Sequence, residues 1–504
     1  MGGEFCWAEA MNVVWFKRDL RIHDHRPLHE AASLGPVVAL YIDEPDYWAL
    51  PDVSTRHRAC TAMALHNLNE ELSGIGLRLQ IFRGSSLDAM AWLHGSLKKF
   101  HLHSHQETGN YWTFQRDMQI QAWCREHGIS WSQYRQFGVV RGLKSREKSW
   151  SKQWHKLMDA PRIPTPSMAT LHDMGLDGPH RNPGIQTIQE VSRQAAEVTL
   201  SSFLQERGMS YHRHISSPIS AEHSSSRLSV HLAYGTISLR EAYQSIAKSS
   251  LSGRARQAVL SRLHWHCHFI QKLESEPEIE FREFHPLYEG LRDAHAHEAN
   301  WLAWAEGRTG WPFLDACMRC LNSTGWMNFR MRAMLTAVAS YHLFQPWRWT
   351  ALHLARAFSD YEPGIHYSQI QMQSGTTGIN TLRIYNPVKQ GLDQDPEGKF
   401  IARWVPELAI LPAPLRHEPW KASPIELADV GLDIGTTYPL RIMDHEEAAR
   451  RAKKLIADWR RGRISQFREV SQKVQNKHGS KKSGMARTGQ KRSSHRQMDM
   501  FGEE

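Results

Sequence analysis

The chain has 504 residues, of which 41% are hydrophobic and 23% are charged. This length predicts two domains or more, and the composition is that of a globular protein with enough apolar residues for sizeable cores. The sequence contains no run of about 18 apolar residues, which excludes a membrane span. The formal net charge of +10 favours a polyanionic partner, with nucleic acid first.

The chain begins MGGEFCWAEA, which lacks the basic and apolar regions of a secretory signal. We therefore expect residues 1–10 to be a short leader and the protein to be cytoplasmic. The cysteines are scattered, which favours a reducing compartment over a disulfide framework. Cys317 and Cys320 form a CxxC motif inside a helical pattern without a second pair, so no metal site is predicted.

Residues 11–135 alternate strand-like and helix-like segments, which predicts a Rossmann-like α/β domain with a parallel sheet. No GxGxxG motif occurs, so a standard dinucleotide fingerprint is not supported. The alternation HLHSH at 101–105 places three histidines on one strand face, and ordinary strand histidines are favoured over a metal site. The predicted strands are Asn12–Phe16, Val37–Ile42, Leu77–Phe82, Phe100–His103 and Ile129–Tyr134.

The remainder of the chain divides into three segments. Residues 136–200 are mixed and rich in Pro and Gly, which predicts an interdomain connector. Residues 201–460 have helical periodicity throughout, which predicts an all-α second domain. Residues 461–504 are predicted to form a basic, disordered tail, because lysine and arginine dominate a stretch rich in Ser, Gln and Gly.

Several segments of the second domain have the residue types of an anion or cofactor site. The stretch SSSRLS at 224–229 places hydroxyls and one arginine before a helix, which suits either a plain cap or a phosphate. Arg330 and Arg332 lie on a helix rich in aromatic residues, where they could face an anion or snorkel from a buried face. Asp360 lies 28 residues after Arg332. This spacing suits two helices joined by a loop that brings the chain back, so that the two side chains could form an ion pair.

These segments together closely resemble the photolyase/cryptochrome flavoprotein family. The resemblance rests on VVWFKRDLRIHDHRPLHEA (13–31), SRLSVHLAYG (226–235), GRTGWPFLDACMRCLNSTGWM (307–327), RIYNPVKQGLDQDPEGKFIARWVPEL (383–408) and HEPW (417–420). It extends to about residue 460. It implies an N-terminal α/β antenna domain and an all-α C-terminal domain that binds FAD.

The resemblance also implies the cofactor site, residue by residue. Arg332 and Asp360 match the pair that embraces the isoalloxazine ring, and Glu362 stands where the family usually has Asp. His366 takes the position that faces flavin N5, where an imidazole could donate or accept a proton depending on pH. The segment matching the FAD-phosphate site contributes Tyr211, Ser225, Ser226, Leu228 and Ser229.

A second implied site would receive DNA. Trp265 matches an aromatic residue that packs against a flipped pyrimidine dimer, and Arg330 and Arg383 match residues used toward the DNA backbone and the lesion. Two positions depart from the usual pattern. Arg262 replaces a glutamate that hydrogen-bonds the lesion, and Met372 replaces a tryptophan that stacks on it.

The implied electron relay is also altered. The family's usual chain is three tryptophans, of which Trp347 matches the middle member, while Ile370 and Ala294 occupy the other two positions. Substitutes among Tyr367, Trp349, Tyr341 and Trp326 remain open. Glu107 lies near the position of an acid that contacts the antenna dye, and the identity of any such dye is left open.

The resemblance implies two functions. The first is a monomeric, light-driven lyase that repairs UV-induced pyrimidine dimers in DNA, as deoxyribodipyrimidine photolyases do. Trp265, the arginines matched to the lesion region and the net charge favour it, whereas Arg262 and Met372 count against the usual lesion geometry. The second is a cryptochrome, a blue-light receptor without repair activity, which His366 and the altered relay favour. The tail ending Gln497–Phe501 also resembles the short peptide that binds the bacterial sliding clamp through apolar anchors.

Overall fold

The computed structural model describes residues 11–143, 149–179 and 189–478. The predicted leader and the clamp-binding peptide lie outside the described residues. The N-terminal part contains a five-stranded parallel sheet in the order β3-β2-β1-β4-β5, which confirms the Rossmann-like prediction. The strands are β1 (Met11–Phe16), β2 (Val37–Asp43), β3 (Leu79–Arg83), β4 (Phe100–His105) and β5 (Ser130–Tyr134).

The central strand β1 is apolar on both faces because helices cover both sides of the sheet. Val14 and Phe16 pack into one hydrophobic cluster, whereas Val13 and Trp15 pack into another. Successive side chains of a strand point to opposite faces, so a nearly continuous apolar strand is what a doubly covered parallel sheet requires. The helices here are α1 (Arg26–Leu34), α2 (Pro45–Trp48), α3 (Thr55–Ser73), α4 (Ser86–Leu97) and α5 (Tyr111–Glu126).

The C-terminal part is helical in the described residues, as predicted. Its helices are α6 (Ser149–Asp159), α7 (Arg193–Ser202), α8 (Tyr211–His214), α9 (Pro218–Ser224), α10 (Ser229–Tyr234), α11 (Leu239–Ala247), α12 (Gly253–Ser275), α13 (Glu298–Glu306), α14 (Pro312–Thr324), α15 (Phe329–Ala337), α16 (Trp347–Ala357), α17 (Pro363–Ser374), α18 (Pro387–Gln394), α19 (Lys399–Trp404), α20 (Ala413–His417), α21 (Pro424–Asp429), α22 (His445–Arg460) and α23 (Ile464–His478). None of the helices in the described part of the chain combines the length and hydropathy that a bilayer span requires.

Helices α12 and α17 pack unusually close to each other. A Cβ atom added to Gly364 of α17 would lie only 2.5 Å from the Cα atom of Ile270 of α12, so this approach requires glycine. The contact holds the two helices in a fixed relation, and both of them contribute residues to the candidate site described below.

The loop after β1 joins the sheet domain to the helical domain. The guanidinium of Arg18 donates to the carbonyl oxygens of Tyr361 at 2.8 Å and Ala233 at 3.1 Å. A Cβ atom at Gly235, whose φ is 73°, would lie 2.4 Å from the carbonyl oxygen of Arg18. The conspicuous N-terminal motif of the sequence therefore acts partly as an interdomain contact.

Two segments differ from the sequence predictions. Within the predicted connector 136–200, α6 buries Trp150 and Trp154 in a cluster that includes residues of α12. Within the predicted disordered tail, α23 forms instead and buries Phe467 and Val474. The prediction of disorder is therefore wrong for residues 464–478. The positive charges of that segment lie on the exposed side of an amphipathic helix, and composition alone does not separate the two sides.

Candidate functional site

A cavity of about 330 Å³ lies in the helical domain. This volume is at the lower end of the range of small-molecule sites. Residues from α8 to α10, α12, α15 and α17 surround it. All nine residues predicted to hold a cofactor line this cavity, namely Tyr211, Ser225, Ser226, Leu228, Ser229, Arg332, Asp360, Glu362 and His366.

Hydroxyl and cationic groups meet on one side of the cavity. The Oγ atom of Ser225 is buried and has no hydrogen-bond partner among the described residues. Arg227 adopts a left-handed backbone with φ of 57° and lays its guanidinium 4.0 Å from the ring centre of Trp326. Burial lowers the pKa of Arg227 to about 10, which still leaves it cationic at neutral pH. Unused hydroxyls beside a cation suit the phosphate groups of a ligand.

Arg332 and Asp360 form the predicted ion pair. The two guanidinium Nη atoms donate to the two carboxylate oxygens at 2.9 and 2.8 Å. Arg332 also donates from Nε to the carbonyl of Met327 at 2.6 Å and packs over the ring of Phe358. Burial alone would raise the pKa of Asp360, but the attraction and hydrogen bonds of Arg332 outweigh it and lower that pKa. Both side chains are therefore held rigidly at the cavity wall.

Glu362 is shared between the cavity and the other domain. Its Oε2 atom lies 3.2 Å from Nη2 of Arg18, a contact that the sequence did not reveal. Its Oε1 atom is buried without a partner among the described residues. Burial raises the pKa of Glu362, although Arg18 opposes the shift. One carboxylate oxygen is therefore anchored and the other remains available to a ligand.

His366 is fixed in one neutral form. Its Nε2 atom lies 2.9 Å from the carbonyl oxygen of Ala351, which can only accept, so Nε2 carries the proton and Nδ1 carries a lone pair. Burial lowers the pKa of His366 to about 4, and the edges of Tyr361 and Tyr367 pack against the ring. We predict from the sequence that this imidazole could donate or accept a proton depending on pH, and that role stays a prediction. The lowered pKa favours the neutral ring near pH 7.

The residues predicted for DNA divide into two groups. Arg262, Trp265 and Arg330 line the cavity, and the half-buried ring of Trp265 stacks on Phe269 with centroids 5.5 Å apart. Met372 and Arg383, both within the described chain, do not line it. Their matched roles toward the lesion and the DNA backbone stay predictions.

The cavity face of α17 carries other residues instead. His366, Gln369, Ile370 and Gln373 line the cavity and recur with the spacing of one helical face. Met372 lies two residues after Ile370 and falls on another side. The two glutamines were missed, although counting three and seven residues onward from His366 would have found them.

The three positions matched to the electron relay differ in burial, and their role in electron transfer stays a prediction. Trp347 is buried, and its indole N–H donates to Glu283 at 3.1 Å. Trp347 and Ile370 belong to the same hydrophobic cluster, but Ala294 is exposed. Of the four aromatic residues considered as substitutes, Trp326 alone lines the cavity.

A second, smaller cavity lies at the carboxyl ends of β1 and β2. It measures about 50 Å³ and is lined in part by Glu107, Arg116, Tyr47 and Tyr361. Arg116 donates to Glu107 and also to Glu44, so ion pairs occupy this region. A volume far below about 300 Å³ does not fit an antenna dye of flavin size in this arrangement.

Three buried side chains meet beside the sheet. Nε2 of His25 and Nδ1 of His105 lie 2.9 and 2.7 Å from the same carboxylate oxygen of Asp19. Within the described residues this is the one group with metal-ligand spacing. The backbone N–H of Leu28 donates to the other nitrogen of His25, so that ring donates its own proton to Asp19. Hydrogen bonds thus account for this arrangement.

Comparisons with known proteins agree with the fold and the cavity. A family model described as DNA photolyase matches residues 12–141, and one described as the FAD binding domain of DNA photolyase matches residues 259–458. The chain is 28% identical to a deoxyribodipyrimidine photo-lyase of Vibrio cholerae over 87% of this chain and 97% of that protein. It is 26% identical to cryptochrome-2 of Arabidopsis thaliana over 90% of this chain and 80% of that protein.

Solved structures with the same fold include a bacterial class III photolyase from Agrobacterium tumefaciens. Its TM-score is 0.79 at 23% identity, with 91% of this chain and 100% of that chain covered. An archaeal photolyase from Sulfolobus tokodaii with two FAD molecules has a TM-score of 0.74 at 25% identity, with 89% and 100% covered. The two family models together match more than half of the chain. The protein belongs to the photolyase/cryptochrome family.

The residues of the large cavity fit the FAD that this family binds. The Ser225 Oγ, Glu362 Oε1 and Asn328 Oδ1 atoms are buried and have no hydrogen-bond partner within the described ranges, whereas buried polar atoms normally have partners. Four arginines line the cavity beside two carboxylates, which suits a ligand with anionic phosphates. Asn328 was not foreseen. Its Nδ2 donates to the carbonyls of Ile215 and Ser216, which turns the unused oxygen into a fixed acceptor.

Proposed function

We propose that this protein is a light-driven DNA repair enzyme that acts on UV-induced pyrimidine dimers. The proposal rests on the observation that residues matched to the cofactor site and residues matched to the lesion site line the same cavity. The Arg332–Asp360 pair and its neighbours form the cofactor side, and Trp265, Arg262 and Arg330 provide aromatic and cationic groups in the same space. A flipped lesion needs an apolar, stacking pocket with hydrogen-bond donors, and these residues supply one.

Bound FAD, reduced and excited by light, would lend the dimer an electron that is returned once the dimer has split, so the repair involves no net oxidation or reduction. The chain's own residues would bind, orient and insulate it. Ser225 and Arg227 would hold phosphates, and the bidentate Arg332–Asp360 pair would fix the ring edge. Neutral His366 would present the lone pair of Nδ1, accepting a hydrogen bond without carrying charge.

DNA would bind chiefly through its phosphates. Arginines supply counter-charge, and the net charge of the chain is +10. Affinity should therefore fall as the salt concentration rises. Trp265 would stack on the displaced base, a contact worth about 1–3 kcal/mol in comparable complexes.

A second candidate, a cryptochrome without repair activity, is favoured by one observation. Ile370 occupies the cavity wall where the family's relay usually starts with a tryptophan. An aliphatic side chain cannot be oxidised in one-electron steps as an indole can, so light-driven reduction of the cofactor would need another route.

The decisive experiment is a repair assay. The full-length protein, loaded with chemically reduced FAD, is exposed to blue light with oligonucleotides that carry one cyclobutane dimer or one six-four lesion. We expect the parent bases to be restored only in the light. The variant Trp265→Ala should weaken binding of the damaged strand roughly tenfold. Trp349→Phe, on an exposed tryptophan away from the cavity, is the matched control. Failure of the wild type to repair either lesion would overturn the proposal and favour the receptor function.

We further propose that the tail delivers the enzyme to the sliding clamp. The segment Gln497–Phe501 lies outside the described residues, and the argument rests on its sequence, in which Met498, Met500 and Phe501 supply apolar anchors. A peptide of residues 490–504 should bind the clamp and compete with a peptide of consensus sequence. The same peptide with Phe501→Ala should not. If the natural peptide does not compete, the proposal is wrong.

A further inference from the structure

Two glutamines of α17 place buried amide atoms at the cavity wall, and these atoms have no partners in the described part of the chain. The carboxamide nitrogen and oxygen atoms of both Gln369 and Gln373 are buried, and none of the four atoms has a hydrogen-bond partner among the described residues. Gln373 is only 3% exposed. The neighbouring Gln371 behaves differently, since its amide bonds the backbone of Ile279, Arg282 and Phe284. The unmet hydrogen-bonding capacity therefore belongs to the cavity face of the helix.

Such groups are costly in a folded protein. A buried polar group left unpaired costs about 1–3 kcal/mol, and the great majority of buried polar atoms are satisfied. Two amides side by side, both unsatisfied and both on a cavity wall, indicate a ligand that completes them. Each amide offers two N–H donors and one carbonyl acceptor, so the matching ligand edge must carry acceptors and a donor next to each other.

Position along α17 separates these glutamines from the cofactor residues. His366 lies in the first turn of the helix, close to Asp360 and Glu362. Gln369 and Gln373 follow it by three and seven residues, which corresponds to a rise of about 4.5 and 10.5 Å along the helix axis. Trp265 and Arg262, from α12, line the same cavity. The amides therefore extend the wall away from the turn that carries the ring-edge residues.

We propose that Gln369 and Gln373 read the base edges of the flipped lesion. This inference rests on the proposed repair function. Thymine and uracil rings present an imide edge, in which one N–H donor lies between two carbonyl acceptors, and a carboxamide complements that edge with a donor and an acceptor. Residues spaced i and i+4 lie side by side with Cβ atoms about 5–6 Å apart. A dimer carries two linked pyrimidines side by side, so each amide pairs with one ring.

The pairing also gives selectivity. A site built to hydrogen-bond its substrate rejects an analogue that leaves the buried polar groups unpaired. Apolar stacking on Trp265 accepts many bases, whereas the two amides accept only an edge with the right sequence of donors and acceptors. Gln369 and Gln373 are thus specificity residues, and the lesion class they favour is one whose imide edges are intact.

The test measures binding in the dark with FAD-loaded, full-length protein. Fluorescence anisotropy gives Kd for an oligonucleotide with one cyclobutane thymine dimer and for the undamaged strand, for wild type, Gln369→Met and Gln373→Met. The preference for the damaged strand is the ratio of the Kd for the undamaged strand to the Kd for the damaged strand. We expect this ratio to fall by a factor of about five to a hundred in each variant. Affinity for undamaged DNA and FAD content should not change. Gln472→Met, on an exposed glutamine of α23, is the matched control.

A second readout separates recognition from a structural role. Replacing an unsatisfied buried amide with an apolar chain of similar length should leave the melting temperature of the DNA-free protein equal or higher. A variant that instead loses stability together with its preference would show that the amide supports the fold, which overturns the inference. Gln373→Glu keeps the shape but removes the donors, and it should lose preference as well.

The outcomes also distinguish this inference from the proposed function. If wild type prefers damaged DNA and both Met variants keep that preference, only this inference is overturned. If the variants lose FAD, the amides belong to the cofactor and the inference is again overturned. If wild type shows no preference for damaged DNA, the repair function fails, and base reading by the glutamines fails with it.

Discussion

Replacement of Asp360 by Asn tests the central ion pair of the site. The substitution keeps the shape of the side chain and removes its charge. Arg332 then loses a bidentate partner, although its Nε bond to Met327 remains. The Asp360 side chain is 5% exposed and that of Arg332 is 25% exposed. The remaining cation is therefore largely buried and can be only partly hydrated.

The magnitude follows from that burial. Removing one partner of a buried ion pair costs about 3–5 kcal/mol, because an uncompensated charge stays behind. The quarter exposure of Arg332 places the expected cost at the lower end, about 3 kcal/mol. The lowered pKa of Asp360 agrees in sign, since the folded state favours the carboxylate. The stabilisation contributed by the ionised Asp360 carboxylate is present above the ordinary pKa of an aspartate, and it is lost as the pH falls through the folded-state pKa.

Urea unfolding of FAD-free protein at pH 7 measures this cost, and absorbance near 450 nm measures how much FAD the purified variant retains. We expect the midpoint of unfolding to fall with an unchanged m value, and we expect FAD retention to drop sharply. Glu407→Gln is the matched control. Glu407 forms an ion pair with Arg319 outside the cavity, and the two side chains are 19% and 24% exposed. Breaking this pair should lower the stability of the protein without changing FAD retention.

Two results would refute this reasoning. A change below about 0.5 kcal/mol for Asp360→Asn would mean that the pair does not stabilise the fold, since surface substitutions have effects of that size. Equal FAD retention in Asp360→Asn and Glu407→Gln would mean that the pair does not serve the cofactor.

Three further predictions concern α17 and the domain contact. Gly364→Ala should lower the free energy of unfolding, measured with a chemical denaturant, by about 1–3 kcal/mol because the added Cβ atom would overlap α12. Gly253→Ala is the control, because its Cβ atom would meet open space and should not lower this free energy. His366 should keep its Nε2 proton and neutral ring from pH 6 to 9 in nitrogen NMR, and a titration in that range would contradict its burial. The folded-state pKa of His366, about 4, lies below the ordinary value of 6.5. The contribution of neutral His366 to the free energy of unfolding should therefore be complete above pH 6.5, and that free energy, measured by urea unfolding, should fall by up to about 3 kcal/mol toward pH 4. Arg18→Met leaves the buried carboxylate of Glu362 unpaired and should cost about 3 kcal/mol, and a loss below 0.5 kcal/mol would show that this contact is unimportant.

The sheet was accessible from the sequence because its signals are local. Runs such as Val37–Ile42 are bounded by turn residues, and all five strands formed within two residues of their predicted ends. The sequence likewise predicted helix-like segments between the strands, and α3 and α5 lie there. The tail was harder, because the apolar positions Phe467 and Val474 of α23 are few and its charges dominate the composition. The helix is stable because those side chains find a surface on the helical domain, which no local pattern reveals.

The positions of the cofactor site followed from the resemblance of the sequence motifs to the photolyase/cryptochrome family, and all nine positions line one cavity. The sequence by itself therefore determined the two-domain architecture, the family and the ring of residues around the cavity. The tertiary structure alone decided which side of α17 faces the cavity, and this side carries Gln369 and Gln373. It also decided that Arg18 reaches Glu362 across the domain contact and that His366 stays neutral. These outcomes depend on helix rotation, domain docking and burial, and each is set by packing between residues far apart in the chain.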